Sequence, residues 1–358
     1  MNQISNLKLQ ALAIGSLPHD NVEEAMLLVK KDFSEIPFFP QLANINKSED
    51  MTFQFMEGLP SFLFSKMENF YLDSESEEFF EALEEFFVDY EEIISDINSE
   101  KLEKYRISEQ FSSTFPVFEQ IIRDSKPIYA KGQIIGPFTF ASILNDKNGK
   151  SALYDDTLRE VVVKLLTLKA LWQIKRMKQA SPDTIPIIFM DEPSISQLGT
   201  SAYLTISEDE VVDMLKEVSD IIKENGGISA IHCCGKCDWS IPIKSGVDII
   251  NFDAYAYSQH LSLYAKEVKL FLQNGGKIAW GLVPTLDSGA LAKTTLENLE
   301  QNFETSVNYL TNKGIDEKLI IDNSLITSSC GAGSLTLEMA ERAMDLVFEL
   351  SNELRKRL

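Results

Sequence analysis

Short apolar runs rich in Val and Ile alternate along this chain with longer runs whose apolar residues recur at helical spacing. Runs of strand character cover residues 11–16 (Ala-Leu-Ala-Ile-Gly-Ser), a weaker segment near 37–41, and 127–135, 185–191, 227–233, 247–253, 277–283 and 318–326. Helices are predicted at 21–32, 157–180, 207–225, 259–274, 295–314 and 335–356. The helix at 207–225 has a marked start and stop: Ser207 precedes Glu208, Asp209 and Glu210, and Gly226-Gly227 follows. Strands alternating with helices predict a parallel sheet, because parallel neighbours need crossover connections. Eight strands close a barrel, so the expected fold is α/β, a (β/α)8 TIM barrel. A doubly wound open sheet is the competitor, but no Gly-x-Gly-x-x-Gly fingerprint follows the first strand.

Residues 45–125 break this rhythm and are expected to form a mainly helical insertion between strands 2 and 3 of a single 1–358 domain. From Asp73 to Glu92 there are ten acidic residues and no basic one. Phe79, Leu83, Phe86 and Tyr90 still share one helical face there, which predicts an aromatic stripe packed on the barrel. A lid or a docking surface is the alternative reading of the same segment.

Composition narrows the function. A net charge of -22 and a pI near 4.6 argue against nucleic acid or an anionic membrane surface as partner. Lys164 and Lys169 interrupt the longest apolar run short of a membrane span. Met1-Asn2-Gln3-Ile4 lacks a basic region followed by an apolar stretch, so no secretion signal is expected. Four cysteines, three of them within five positions, make a poor disulfide framework for 358 residues. Reduced thiols in a cytoplasm are the expectation.

The chemistry concentrates at the predicted strand ends, which form one rim in a barrel. Ser16 and His19, Gln41, Gly136-Pro137, Asp191-Glu192, His232 to Cys234, Asp253, Pro284-Thr285 and Cys330 all stand there. His232 and Cys234 lie two positions apart, so both face the axis while Cys233 faces the outer helices. One imidazole and two thiols are a soft ligand set that suits Zn2+. Cys234-Gly235-Lys236-Cys237 also spells Cys-x-x-Cys. A structural zinc site would need a second such pair, and a redox motif should open a helix, whereas Asp238 to Pro242 reads as loop. Inert buried thiols are the remaining option.

The ordered set of segments resembles the catalytic barrel of cobalamin-independent methionine synthase, in its single-barrel form, within the uroporphyrinogen decarboxylase-like superfamily of zinc methyltransferases. The resemblance spans about residues 11–345. It rests on His-x-Cys at 232–234 and Cys330-Gly331, together with Ile14-Gly15-Ser16-Leu17-Pro18 and Ile135-Gly136-Pro137-Phe138-Thr139. Met190-Asp191-Glu192-Pro193 and the strand from Asp248 to Asp253 complete it. It implies one zinc on His232, Cys234 and Cys330, with Asp253 as a displaceable fourth ligand; a helix cap is the other reading of an isolated Asp253. It further implies a substrate-binding group of Ser16 for a carboxylate and Asp191, next to Glu192, for an ammonium. The implied activity is methylation of a small-molecule thiol, with homocysteine giving methionine.

Three departures from the family shape the expectation further. Phe53 stands where the synthase has a second ammonium-binding Glu, Gly281 to Thr285 holds no His to protonate a folate nitrogen, and the duplicated N-terminal barrel is missing. A folate leaving group needs a general acid, whereas a methyl group on cobalt leaves as Co(I) without a proton. The expected donor is therefore a methylcorrinoid (methylcobalamin) on a partner protein. The alternatives are methyltetrahydrofolate as donor, another acceptor thiol such as coenzyme M, a metal-free porphyrin-type decarboxylase, and a non-catalytic corrinoid- or metal-binding module. Residues 1–29 hold one Lys and no Arg, against the decarboxylase.

Overall fold

A computed structural model of the chain describes residues 4–357. After helix α1 (Val22–Asp32) come α2 (Glu77–Ser95) and α3 (Phe115–Ser125), and then six parallel strands with helices between them. The strands are β1 (Tyr129–Ile135), β2 (Ile185–Asp191), β3 (Ile228–Cys233), β4 (Ile249–Phe252), β5 (Lys277–Val283) and β6 (Ser324–Ser328). Helices α4 (Pro137–Ile143) and α5 (Asp156–Ala180) follow β1, α6 (Glu208–Glu224) follows β2, and α7 (Ser240–Lys244) follows β3. Next come α8 (Ala254–Leu261) and α9 (Ala265–Gln273) after β4, then α10 (Ser288–Lys293), α11 (Leu296–Thr311) and α12 (Glu317–Asp322) after β5. Helix α13 (Leu337–Lys356) follows β6.

The strands pair in sequence order, β1 to β6, and every residue of β3 to β6 is buried, as expected of a parallel sheet covered on both faces. The sheet curls, and its two faces carry separate apolar sets. Ile187, Phe189, Ile228, Ala230, Ile249, Ala279 and Leu325 pack together on the concave side with Leu12 and Ile14. Ile188, Met190, Ile231, Cys233, Ile250 and Ile326 join the much larger core beneath the helices.

Residues 11–16 and 37–41 form no regular strands, contrary to the pattern of their residues, yet both lie in the gap between β6 and β1. Ala11 bridges Ile326, Ser16 bridges Gln41 and Phe38 bridges Lys131, each in parallel sense. Leu12 N donates to Ile326 O at 2.8 Å, Gln41 N to Gly15 O at 2.9 Å, and Lys131 N to Pro37 O at 2.8 Å. Pro37 and Pro40 bring no N–H to a ladder, which keeps the pairing to isolated bridges.

Three other stretches differ from expectation. Residues 318–326 divide into α12 and β6, because Asp316 caps the run Leu319-Ile320-Ile321 by accepting from Leu319 N at 2.9 Å. The 259–274 helix is two helices, α8 and α9, with Tyr257 already non-helical inside α8. Asp238 to Pro242 is not all loop, since α7 starts at Ser240, whose N–H donates to Asp238 Oδ1 at 2.8 Å. The 207–225 expectation is met by a capping box between Ser207 and Glu210 ahead of α6.

The acidic stretch is α2, and its stripe is core: Phe79, Phe86 and Tyr90 are buried and Leu83 packs against the same cluster. Its charges partly neutralise basic residues downstream, with Lys101 and Lys104 meeting Asp89 at 3.0 and 2.9 Å. Among the described residues, no helix is long and apolar enough to cross a membrane.

Candidate metal centre

Strand β3 sets out the first two residues of the site. Ile228 and Ala230 face the concave core, Ile231 and Cys233 the helical one, so His232 points to the concave side with Ala230. Cys234 follows where the strand ends. Cys330 arrives from the other side, two residues past β6, on a loop held by Thr285. Cys330 N donates to Thr285 Oγ1 at 3.1 Å, Thr285 Oγ1 donates to Cys330 O at 2.9 Å, and Ser328 Oγ donates to the same carbonyl at 2.8 Å. A ring nitrogen of His232 and the sulfurs of Cys234 and Cys330 lie within 4.8 Å of one another.

The donors suit a metal ion on two further counts. His232 is buried, and among the described residues its Nε2 has no hydrogen-bond partner, although Nδ1 meets Asn251 Oδ1. An orphaned buried nitrogen is costly unless something else uses its lone pair. The proton affinities are also drawn apart. Cys330 first, and then the His232 imidazole, pull the Cys234 thiol down to about 4. Cys234 and burial push the Cys330 thiol up. Burial opposes a His232 cation, but Cys234 and the Asp191 carboxylate outweigh it and raise the imidazole. Thiolate character next to imidazole is the condition for soft-metal ligation.

Cys233 and Cys237 stay outside this group. Both are buried in the helical core and interact with each other; Cys237 lowers the Cys233 thiol, and burial raises that of Cys237. The Cys-x-x-Cys therefore does not act as one unit, because Cys234 faces one side of the sheet and Cys237 the other.

Asp191 ends β2 in register with His232 on β3. It is 5% exposed, and among the described residues only charges at a distance, not a hydrogen-bond donor, act on its carboxylate. Burial raises its pKa, against the pull of His232 and Lys131. Ser16 sits against the Cys330 loop. A Cβ on Gly331 would fall 2.1 Å from Ser16 Oγ, so any side chain there would displace the Ser16 hydroxyl. Gly333 N donates to Ser16 Oγ at 3.3 Å and Ala332 N to Ser16 O at 2.9 Å.

Two of the expected site residues have other partners. The carboxylate of Glu192, expected beside the substrate, is fully buried and turned to the start of α4. It accepts from Phe138 N and Thr139 N at 2.9 Å each and from Thr139 Oγ1 at 2.6 Å. Three donors at a helix start occupy both of its oxygens, and burial still pushes it up to about 7. Gly136 is required beside it, since a Cβ there would lie 2.1 Å from Glu192 Cδ. Asp253 caps α8, with Oδ1 accepting from Ala256 N at 2.8 Å, and is not one of the three clustered donors. Burial pushes it up to about 6. His19 is buried against α13, its Nε2 4.0 Å from Glu341 Oε1, and is likewise outside the cluster.

Sequence reasoning passed over two residues here. Asn251, within Ile249-Ile250-Asn251-Phe252, bonds His232; Lys131, within Tyr129-Ala130-Lys131-Gly132-Gln133, is 1% exposed. A polar residue at the inward position of an otherwise apolar strand is the signal that marks both. Lys131 Nζ donates to Gln133 Oε1 at 3.1 Å and lies 4.8 Å from the Phe189 ring centroid. No protein-family model matches the chain, and no curated protein matches it significantly.

Proposed function

We propose that the chain is a zinc-dependent thiol methyltransferase of the cytoplasm, of the methionine synthase-like kind, that methylates homocysteine from a methylcorrinoid protein. The observation that carries the reading is the convergence of one imidazole nitrogen and two sulfurs within 4.8 Å at the end of a curled parallel sheet. On this reading the fold is a (β/α)8 barrel. Residues 11–16 and 37–41 take the places of its first two strands, supported by their bridges to β6 and β1.

His232, Cys234 and Cys330 would hold the zinc, and Asp253, which lies outside that cluster, would have to move toward it to join them. Bound there, zinc supplies the Lewis acidity that ionises a thiol at neutral pH. The chain's own residues do the rest. Asp191, buried and without a donor among the described residues, offers its carboxylate to the substrate ammonium. Ser16 Oγ accepts from Gly333 N and keeps its own hydroxyl proton for the substrate carboxylate. Held at both points, the substrate directs its sulfur at the methyl carbon. The S–C bond forms, the Co–C bond breaks, and the bonding pair stays on cobalt as Co(I). The thiol proton has already gone to solvent, and the leaving group needs none. This matches the end of β5, where Thr285 is committed to Ser329 and Cys330.

The test is methyl transfer to homocysteine by the purified, zinc-loaded chain, with methylcobalamin as a surrogate donor and methyltetrahydrofolate in parallel. Methionine formed from the corrinoid at least tenfold faster is expected. Equal rates from the two donors overturn the choice of donor, and no thiol methylation from either overturns the activity.

A further inference from the structure

Asn251 stands on β4 in register with His232 on β3 and is completely buried. Its amide reaches three groups. Nδ2 donates to the Ala279 carbonyl on β5 at 2.8 Å and to Thr327 Oγ1 on β6 at 2.8 Å, and Oδ1 meets His232 Nδ1. A carbonyl oxygen can only accept, so the Ala279 contact settles which end of the amide is nitrogen. Turning the amide over would set Oδ1 against that carbonyl oxygen and leave both without a proton between them. Thr327 agrees, because its hydroxyl proton is already given to Ser328 O at 2.9 Å and its oxygen is free to accept from Nδ2.

With Oδ1 turned to the imidazole, Nδ1 must carry the proton. In a neutral ring the lone pair then resides on Nε2, the buried nitrogen left without a hydrogen-bond partner among the described residues. We propose that Asn251 is a positioning residue that locks His232 in the Nδ1–H tautomer and so presents Nε2 to the two thiols before any metal arrives. The same amide ties together the strands that carry the ligands, since Thr327 lies three residues before Cys330. One side chain thus fixes the ring's tautomer and is tied to β6, the strand that leads to the second sulfur. The inference deepens the metal-site reading and rests on it for its purpose, while the tautomer itself follows from hydrogen bonding alone.

The experiment uses the whole chain labelled with 15N-histidine, which is simple to assign because the sequence has only three histidines. The metal-stripped protein is examined at a pH alkaline enough for a neutral ring, and zinc affinity is measured separately by chelator competition. The wild type is expected to show the Nδ1–H tautomer at His232. Asn251→Ala is expected to lose that preference and to bind zinc 10- to 100-fold more weakly. Thr327→Val, which frees the amide without touching the imidazole, is expected to lie between the two. An Nε2–H tautomer in the wild type, or an Asn251→Ala protein with unchanged tautomer and affinity, overturns the proposal. If Asn251→Ala fails to fold, the wild-type spectrum and Thr327→Val decide. An Nδ1–H tautomer in a wild-type chain that takes up no zinc supports the lock and overturns the metal reading instead.

Discussion

Replacing Cys330 by Ala isolates one donor of the candidate centre with little harm to the loop that carries it. The backbone of Cys330 is fixed by Thr285 and Ser328 rather than by its own sulfur, and the residue is only partly buried. Truncating such a side chain costs about 1 kcal/mol of folding stability. In a chain of this size that lowers the melting temperature of the metal-stripped protein by less than about 3 °C. Structural zinc sites with four protein ligands bind with roughly 10–16 kcal/mol, about 3 kcal/mol per ligand, so a thiolate lost from the three donors here weakens Kd on the order of a hundredfold. The assay is competition with a chromophoric chelator on stripped and reloaded protein, with Cys237→Ser as the control from the helical core. Weakened zinc binding in Cys330→Ala and near wild-type binding in Cys237→Ser are expected. If Cys330→Ala keeps one zinc per chain at wild-type affinity, its sulfur is not a ligand and the convergence of β3 and β6 has no metal to serve.

Other expectations concern the groups around the centre. Glu192→Ala leaves Phe138 N, Thr139 N and Thr139 Oγ1 without their acceptor, and should cost about 3 kcal/mol in urea unfolding with zinc affinity retained. An unchanged midpoint would show that the carboxylate is not the cap of α4. Asp191→Asn should raise KM for an amino-bearing thiol roughly tenfold or more, yet leave zinc content and turnover of the same thiol lacking its amine unchanged. An equal loss for both thiols would remove the ammonium role. For Lys131, burial pushes the ammonium down from 10.5 to about 8. The unfolded chain therefore binds more protons than the folded one between those values, and this group makes stability rise with pH across that window. Lys131→Met should flatten that rise in a pH series of denaturant melts and gain about 1–3 kcal/mol near neutrality; a slope equal to the wild type would contradict it.

The class of fold and the identity of the candidate ligands were legible in the chain because both follow from local rules. Short apolar runs at 185–191 and 277–283, and a periodicity of about 3.6 in the runs after them, reflect strands buried on both faces and helices buried on one, and those strands match the structure residue for residue. His232 and Cys234 share a face for the same reason, and a set of soft donors in two short segments needed no coordinates to be noticed. Boundaries set by a single side chain were harder to see. Asp316 turns Leu319-Ile320-Ile321 into helix, and Pro37 and Pro40 reduce a strand-like segment to bridges.

Only the tertiary structure decided what each polar group is occupied with. Glu192 and Asp191 are neighbours in sequence, yet one is engaged by three donors at α4 and the other by none among the described residues. Asp253 is spent on α8. Asn251, unremarkable in sequence, reaches across three strands to fix a ring nitrogen. Side-chain type is a property of the residue, but hydrogen-bonding capacity is finite, and which partner claims it depends on groups that meet only when distant strands are brought side by side.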